Sequence, residues 1–215
     1  MLKALENMRI NLDFKGNTLS RTKVGNHIKK VWYLANKQEK AHIWYQTARD
    51  YAISITTHNV GLSHTSGIIS GLSPQKLWEQ NKQLAKEFIA FDTCGHMGEN
   101  IRKSRAIKNV TEMYTDSGDN QIWNILNGNK TQRFYWCIKY PLSREYVVVD
   151  RHSLSVALGR VATDKEMSMT DNHYKFFEDC YKKVASELDI IPSYLQSVTW
   201  EAWIRLKKEG YLVNK

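Results

Sequence analysis

Features that many proteins rely on are scarce in this chain of 215 residues, and each scarcity excludes a class of protein. The three cysteines, Cys94, Cys137 and Cys180, lie far apart and are odd in number, so neither a disulfide framework nor a zinc knuckle is expected. No apolar run is long enough to span a bilayer, and the amino terminus lacks the apolar core of a signal peptide. We therefore expect a globular, cytoplasmic protein without a membrane partner.

An excess of positive charge is the most marked feature of the amino-acid composition. The formal net charge is +9, from 31 lysines and arginines against 22 acidic residues. Such an excess favours a polyanionic partner, which binds through phosphate contacts and counterion release. A plainly solvated basic surface has the same composition, so charge alone leaves both interpretations open.

Helical periodicity dominates the chain and predicts an all-α architecture. Residues 1–25 are polar and rich in turn formers, and are expected to form a loosely organised leader. Serine followed by proline at Ser73-Pro74 is the pattern of an N-cap and a first helical residue, which predicts a helix start there. The other predicted helices cover about 28–55 with a break near 37–40, 62–72, 100–107, 122–126, 170–188 and 192–209, and one extended run is predicted at 146–149.

The most informative stretch joins two predicted helices through Asn127-Gly128-Asn129 and continues at once into Lys130. Gly128 is expected to supply the backbone freedom for the reversal. The amino end of the second helix is a phosphate site that needs no sequence information. A lysine there opposes the helix dipole, at a cost of up to about 1 kcal/mol. Partial burial in a cleft would favour its neutral, nucleophilic amine, whereas the alternative is an exposed side chain or a phosphate contact.

A second signal follows, where an apolar run of three valines at 147–149 leads into Asp150 and another predicted helix. Aspartate is a good N-cap, which is the structural explanation for its position. The same carboxylate would stabilise the cationic sugar left when a nucleobase departs, or would activate a lysine or a water. The two roles are compatible, because a cap held by main-chain donors is already oriented. His152 is expected to pack or to donate a hydrogen bond in the first turn.

Together these motifs resemble the helix-hairpin-helix DNA glycosylases of the endonuclease III-like type. Those proteins carry a hairpin ending in Gly-x-Lys-Thr and then an apolar run into Val-Asp-x-His. Residues 69–82 and 95–107 also look like segments of that family, so the resemblance covers about residues 62–160. It implies two closely packed helical lobes with a cleft between them. One would be a six-helix lobe at 62–160 with the hairpin at 126–129, and the other would combine 26–61 with 161–215.

The resemblance also implies the roles of single residues. Lys130 would be the Schiff-base nucleophile and Asp150 the catalytic carboxylate. The partner would be double-stranded DNA with a modified base, and the protein a monomer without cofactor or metal, since the iron–sulfur cysteines of many members are missing. The expected DNA contacts are Leu126, Asn127, Gly128, Asn129, Thr131, Ser73, Gln75, Lys103 and Arg105.

The expected function is flipping and excision of a modified or damaged base, with β-elimination as a following step. The chain also resembles bacteriophage proteins related to these glycosylases, which leaves open the remodelling of a hypermodified base. A non-enzymatic DNA-binding module is the third hypothesis. Five aromatic residues could form the wall of a pocket for a flipped base, although core packing is the expected role of each: Trp78, Trp123, Tyr135, Trp136 and Trp200.

Overall fold

The computed structural model describes residues 11–95, 98–111 and 116–211, and these are mostly helical. A short antiparallel hairpin precedes the helices, and its strands pair from Asn11 with Ser20 to Phe14 with Asn17. The elements are β1 (Asn11–Phe14), β2 (Asn17–Ser20), α1 (Arg21–Leu34), α2 (Lys37–Ala41), α3 (Trp44–Ser54), α4 (Leu62–Leu72), α5 (Trp78–Phe91), α6 (Glu99–Lys108), α7 (Asp116–Leu126), α8 (Asn129–Lys139), α9 (Arg151–Leu158), α10 (Asp164–Met167), α11 (Asp171–Glu187) and α12 (Pro192–Lys208). None of these helices is long and apolar enough to cross a membrane.

The described chain divides into two units, which differ in their boundaries from the predicted lobes. The central unit is Trp44–Pro141, and the flanking unit combines the segments that end at Ile43 and begin at Leu142. Both ends of the chain share one unit, as the resemblance implies. However, residues 44–61 belong with the centre, because α3 packs on α4 and α8. Residues 142–160, with Asp150, belong with the ends, because α9 packs on α1 and α12.

The amino-terminal region corrects the prediction of a loose leader for residues 11–25, while residues 1–10 lie outside the described residues. Phe14 of β1 is fully buried and meets Phe177 of α11 edge-on, with the ring centroids 5.2 Å apart. The Ser20 side chain then caps α1 by accepting a hydrogen bond from the Lys23 amide. The strands have four residues each, too few for alternation to stand out in the sequence.

The start signal at Ser73-Pro74 is also wrong. Ser73 is the C-cap of α4, and its hydroxyl donates to the Ser70 carbonyl over 2.8 Å. Gln75 has a left-handed backbone, with φ of 61°, and α5 begins only at Trp78. Proline is common just after a helix end as well as in a first turn. The Ser-Pro pair therefore indicates a helix boundary but does not tell whether a helix begins or ends there.

Helix α4 lies at the centre of the central unit and packs against α3, α5, α6, α7 and α8. Its small residues permit the close approach. A β-carbon at Gly67 would lie 2.8 Å from Cγ2 of Ile122 and 3.0 Å from Cγ2 of Ile107, which is closer than carbon atoms pack. This packing fixes α7 and α8 against a common helix, and so fixes the turn that joins them.

The flanking unit has a core that includes several aromatic residues and is built by α1, α9, α11 and α12. The apolar run before Asp150 is extended but pairs with no strand among the described residues. Its amides are bonded to buried side chains of α11 instead, Val147 to a Glu178 carboxylate oxygen at 2.9 Å and Val149 to the Tyr174 hydroxyl at 2.8 Å. These contacts hold the segment that carries Asp150 to the start of α9.

Candidate functional site

The turn between α7 and α8 is a tight hairpin, but the residue that makes it possible is not the one the sequence suggests. Asn127 adopts the left-handed conformation, with φ of 44°. Gly128 has φ of −164° and ψ of 132°, an extended backbone that any residue adopts. The prediction that Gly128 supplies the unusual freedom is therefore wrong. Asparagine tolerates the left-handed region because its short side chain forms local hydrogen bonds.

Side chains from several elements hold the hairpin in place. Leu126 is buried, and the Lys103 ammonium of α6 donates to its carbonyl over 3.3 Å, as a cation at a helix carboxyl end should. The Thr131 hydroxyl donates back to the Gly128 carbonyl over 3.0 Å. The Ser70 hydroxyl of α4 donates to the Thr131 carbonyl over 2.5 Å. The amino end of α8 is thus anchored to the core of the unit.

Lys130 is the second residue of α8, and its side chain is exposed. The predicted partial burial in a cleft is not observed. The first turn of α8 contains no acidic residue, and the N-cap Gly128 forms no side-chain hydrogen bond with the helix. Since the first amides of a helix have no carbonyl partner within it, this end of α8 is a positively polarised surface that carries an exposed cation.

The other residues expected to contact DNA have mixed environments. Ser73 is buried and its hydroxyl donates to the Ser70 carbonyl, so it is unsuited to a DNA contact. Gln75, on the neighbouring turn, is exposed. Arg105 is half-exposed and forms an ion pair with Asp92 at 3.4 Å. Lys103 is already engaged, both by the hairpin carbonyl and by Glu99 at 2.9 Å.

Asp150 is the N-cap of α9, as predicted, and lies in the flanking unit. One carboxylate oxygen accepts hydrogen bonds from the Ser153 amide at 2.8 Å and the Ser153 hydroxyl at 3.0 Å. The other oxygen accepts from the indole Nε1 of Trp200 at 2.9 Å. The carboxylate is half-buried, and its orientation is fixed from both sides.

A second layer supports these donors. The Gln196 amide donates to the Ser153 hydroxyl over 2.8 Å, and the buried Tyr181 hydroxyl donates to the Ser153 carbonyl over 2.9 Å. Burial raises the pKa of Tyr181, and the negative charge of Asp150 adds to that rise. The His152 ring meets the Trp200 indole edge-on at 5.4 Å, in keeping with its expected packing role.

Sequence reasoning missed the residues of α12 that position Asp150. Trp200 lies fifty positions away along the chain, so no local motif connects the two residues. A weaker signal does exist at Gln196, which shares a helix face with the buried residues Thr199 and Trp203. A polar side chain on an apolar helix face needs hydrogen-bond partners and indicates a buried polar network.

The aromatic residues considered for a base pocket are unequal. Tyr135 is fully buried, whereas Trp78, Trp123, Trp136 and Trp200 are half-buried. Among the described residues, no group of three or more histidine, cysteine, aspartate or glutamate side chains gathers as a metal site would require.

Asp119 of α7 is buried and accepts hydrogen bonds from three side chains of the following helix and its C-cap, Tyr135, Lys139 and Tyr140. Burial alone would raise the pKa of Asp119, but the bonds from Lys139, Tyr135 and Tyr140 hold it below its usual value. This buried anion fastens α7 to α8 on the side away from the turn.

The chain belongs to DUF7178, a family of unknown function whose model matches residues 11–208. No curated protein and no solved structure matches the chain. The matched region contains both the α7–α8 hairpin and the Asp150 cap, so both features lie in the part of the chain that defines the family.

Proposed function

We propose that the protein is a helix-hairpin-helix DNA glycosylase that flips a modified base out of duplex DNA and excises it. The observation that carries the proposal is the amino end of α8, where a hairpin anchored to the core presents an exposed lysine and no acid in the first turn. The resemblance of the hairpin and of the Val-Asp-Arg-His segment to the endonuclease III-like enzymes agrees with it.

The hairpin would bind the phosphate backbone of one strand. Main-chain amides at a helix amino end suit an anion, and contacts of this kind fix position without reading sequence. The rigid support of the turn by Lys103, Ser70 and Thr131 limits the conformational freedom that binding would otherwise remove. The net charge of +9 strengthens the attraction to DNA at long range.

Lys130 would be the nucleophile. Its neutral amine attacks C1′ of the flipped nucleotide, the bond from C1′ to the base breaks, and the base leaves with the bonding electrons and takes up a proton. Opening of the sugar then yields an imine between Nζ and C1′, from which β-elimination can break the strand. Because Lys130 is exposed in the free protein, this step would require bound DNA to exclude water from the amine.

Asp150 would act as a fixed negative charge beside the sugar. Positive charge develops on the sugar as the base departs, and a carboxylate that is already oriented stabilises it without reorganisation. Three hydrogen bonds from Ser153 and Trp200 provide that orientation. They also make Asp150 better suited to stabilise a cation than to swing towards a proton.

Borohydride trapping tests the role of the lysine. Duplexes that carry uracil, oxidised pyrimidines, oxidised guanine or hydroxymethylated bases are incubated with the protein and reduced, and covalent complexes are measured. We expect trapping by the wild type and its loss in Lys130→Ala. Lys165→Ala is the matched control, because Lys165 is also exposed at the second position of a helix. Equal trapping by wild type and Lys130→Ala would remove the lysine from the mechanism.

The exposure of Lys130 also favours a second candidate, a DNA-binding module without catalysis. An exposed lysine at a helix amino end suits a phosphate contact as well as a nucleophile. This candidate predicts salt-sensitive DNA binding that persists in Asp150→Asn, with no covalent product and no free base. Mass spectrometry of the treated DNA separates the two candidates, because only excision leaves a free base or an abasic site.

A further inference from the structure

The outer side of α1 carries a stripe of basic and polar side chains, Lys23, Asn26, Lys30 and Tyr33. Their spacings of three, four and three residues place them on one side of the helix. All four are exposed, and Tyr33 is 67% exposed. This outer stripe is about 15 Å long, at a rise of about 1.5 Å per residue. The other side of α1 is buried in the core through Val24, Ile28 and Val31.

We propose that the outer stripe binds the phosphate backbone of duplex DNA, with the ammonium groups of Lys23 and Lys30 each paired to a phosphate. The side chains of Asn26 and Tyr33 would donate hydrogen bonds to phosphate oxygens, contacts that fix position without reading sequence. The stripe belongs to the flanking unit, whereas the α7–α8 hairpin belongs to the central unit. The choice of DNA among polyanions rests on the proposed function, but the contact itself does not require base excision.

The cations of the stripe are uncompensated within the described part of the chain. Helix α1 contains no acidic residue, and neither Lys23 nor Lys30 has an ion pair or a side-chain hydrogen bond there. The other two cations of α1 differ, because Arg21 and Lys29 form ion pairs with acidic residues of α11. The charge of α1 is therefore neutralised on the side of α11 and remains available on the outer side.

Stability alone does not favour the residues of the stripe. Lys23 lies in the first turn of α1, where a cation opposes the helix dipole at a cost of up to about 1 kcal/mol. The Tyr33 ring meets no other ring and no cation among the described residues, so its apolar surface contributes little to the core. A partner with closely spaced negative charges would compensate the lysines and accept a hydrogen bond from the tyrosine.

The form of the stripe fits a rigid polyanion better than a membrane surface. Duplex DNA carries one negative charge for about every 1.7 Å of its axis, so about nine charges pass along the length of the stripe. A helix that binds a membrane surface inserts an apolar face beside its basic one. In α1 the apolar face is already buried in the core of the flanking unit, and it is not available for insertion.

Helix α11 supplies a matched contrast in the same unit. Lys175 and Lys183 are exposed and lie eight residues apart, similar to the seven residues between the lysines of the stripe. Each is paired within its own helix, Lys175 with Asp179 at 3.6 Å and Lys183 with Glu187 at 4.0 Å. Both acids also pair with cations of α1, so replacement of the two lysines leaves neither carboxylate unpaired.

Fluorescence anisotropy with a labelled, unmodified duplex measures binding between about 50 and 200 mM salt. We expect the slope of log binding constant against log salt to become less steep by about 1.8 in Lys23→Gln/Lys30→Gln, from about 0.9 for each phosphate contact. Lys23→Arg/Lys30→Arg should keep the wild-type slope, because it keeps both cations. Lys175→Gln/Lys183→Gln changes the net charge equally and should alter the slope by less than about 0.9, the value of one contact.

Thermal unfolding of each variant is measured alongside. Should the double variant of the stripe fail to fold, Lys23→Gln and Lys30→Gln decide singly, each with an expected change of about 0.9 in the slope. An unchanged slope in the stripe variants, or an equal change in the α11 control, would overturn the proposal. Unchanged duplex binding together with weaker binding to vesicles of anionic phosphatidylserine would also overturn it, in favour of a membrane surface.

The outcome is separable from that of the proposed glycosylase. A reduced slope in the stripe variant, without base release by the wild type from any duplex, would support the stripe and remove the enzyme. Base release by the wild type, with an unchanged slope in the stripe variant, would remove the stripe alone. No binding of the wild type to any duplex would remove both.

Discussion

The starts of α8 and α9 differ in their N-cap residues and in the charge that lies beside their first amides. At α8 the cap is Gly128, without a side chain, and the first turn carries the exposed cation of Lys130. At α9 the cap is Asp150, which accepts bonds from Ser153 and Trp200. The start of α8 has no side-chain cap and no acidic residue in its first turn, whereas the start of α9 is capped by the protein's own carboxylate.

The contrast shows how the same backbone feature serves two purposes. A helix amino end is always positively polarised. The cap residue decides whether a side chain of the protein or an external group interacts with it. An aspartate cap accepts hydrogen bonds from the first helix amides and so stabilises the fold. A glycine cap has no side chain to do this, so an anionic ligand can bind those amides instead. The start of α10 is closed in another way, by a capping box in which Glu166 bonds the Thr163 amide and hydroxyl.

The largest effect is expected at the closed start of α9. Asp150→Ala removes the cap and leaves the Trp200 indole without its acceptor, so we expect a loss of about 2–3 kcal/mol in the free energy of unfolding. Asp150→Asn retains an oxygen for the Ser153 amide and should lose about half as much. Urea unfolding at neutral pH measures both. Equal losses in the two variants would show that the cap is not what stabilises this helix start.

The next effect concerns pH and the start of α10. Hydrogen bonds from Arg160, and then from Thr163, lower the pKa of Glu166 from 4.5 to about 2. Because the pKa in the folded state lies below the unfolded value, the stabilisation is present above pH 4.5 and is lost as the pH falls towards 2. We expect about 2 kcal/mol, allowing for the partial exposure of Arg160.

Urea unfolding between pH 2 and pH 6 measures this loss, and Glu166→Gln should flatten the curve across that window. Asp164→Asn is the matched control. Asp164 also bonds an arginine, Arg151, but its side chain is 93% exposed, so its contribution should be small. A control variant that flattens the curve as much as Glu166→Gln would contradict the assignment to the closed helix start.

The smallest effect concerns the turn before α8. Asn127→Ala places a residue with a β-carbon and no polar side chain at φ of 44°, and should cost about 1 kcal/mol. Gly128→Ala should change stability by less than about 0.5 kcal/mol, because its backbone is extended and the nearest atom to the new carbon is a side-chain oxygen of Thr131 at 3.2 Å. Thermal unfolding measures both variants, and the reverse order would restore the role first assigned to Gly128.

The structure confirms several elements at the predicted positions. Helix α4 has the predicted bounds, and α11 and α12 agree within about a residue, because their apolar positions repeat with helical spacing over several turns. The short elements did not follow from the sequence. The strands β1 and β2 depend on the burial of Phe14 against Phe177, a contact across more than half the chain.

Some features of the candidate site likewise follow from the sequence, and others do not. Asp150 as a helix cap follows from the residue type and its place after an apolar run. The exposure of Lys130, the burial of Ser73 and the bond from Trp200 do not, because each depends on which helices pack nearby. Loss or retention of borohydride trapping in Lys130→Ala therefore tests a role that exposure alone leaves open.

The sequence by itself determined where most helices lie, the position of the reversal between α7 and α8, and Asp150 at the start of α9. These depend on local spacing and on the chemistry of single residues. Only the tertiary structure decided that Asn127 carries the left-handed turn, that α12 orients Asp150, and that the rings of Trp123, Trp136 and Tyr140 contact one another. Those outcomes depend on contacts between segments far apart in the chain, and local patterns carry no record of them.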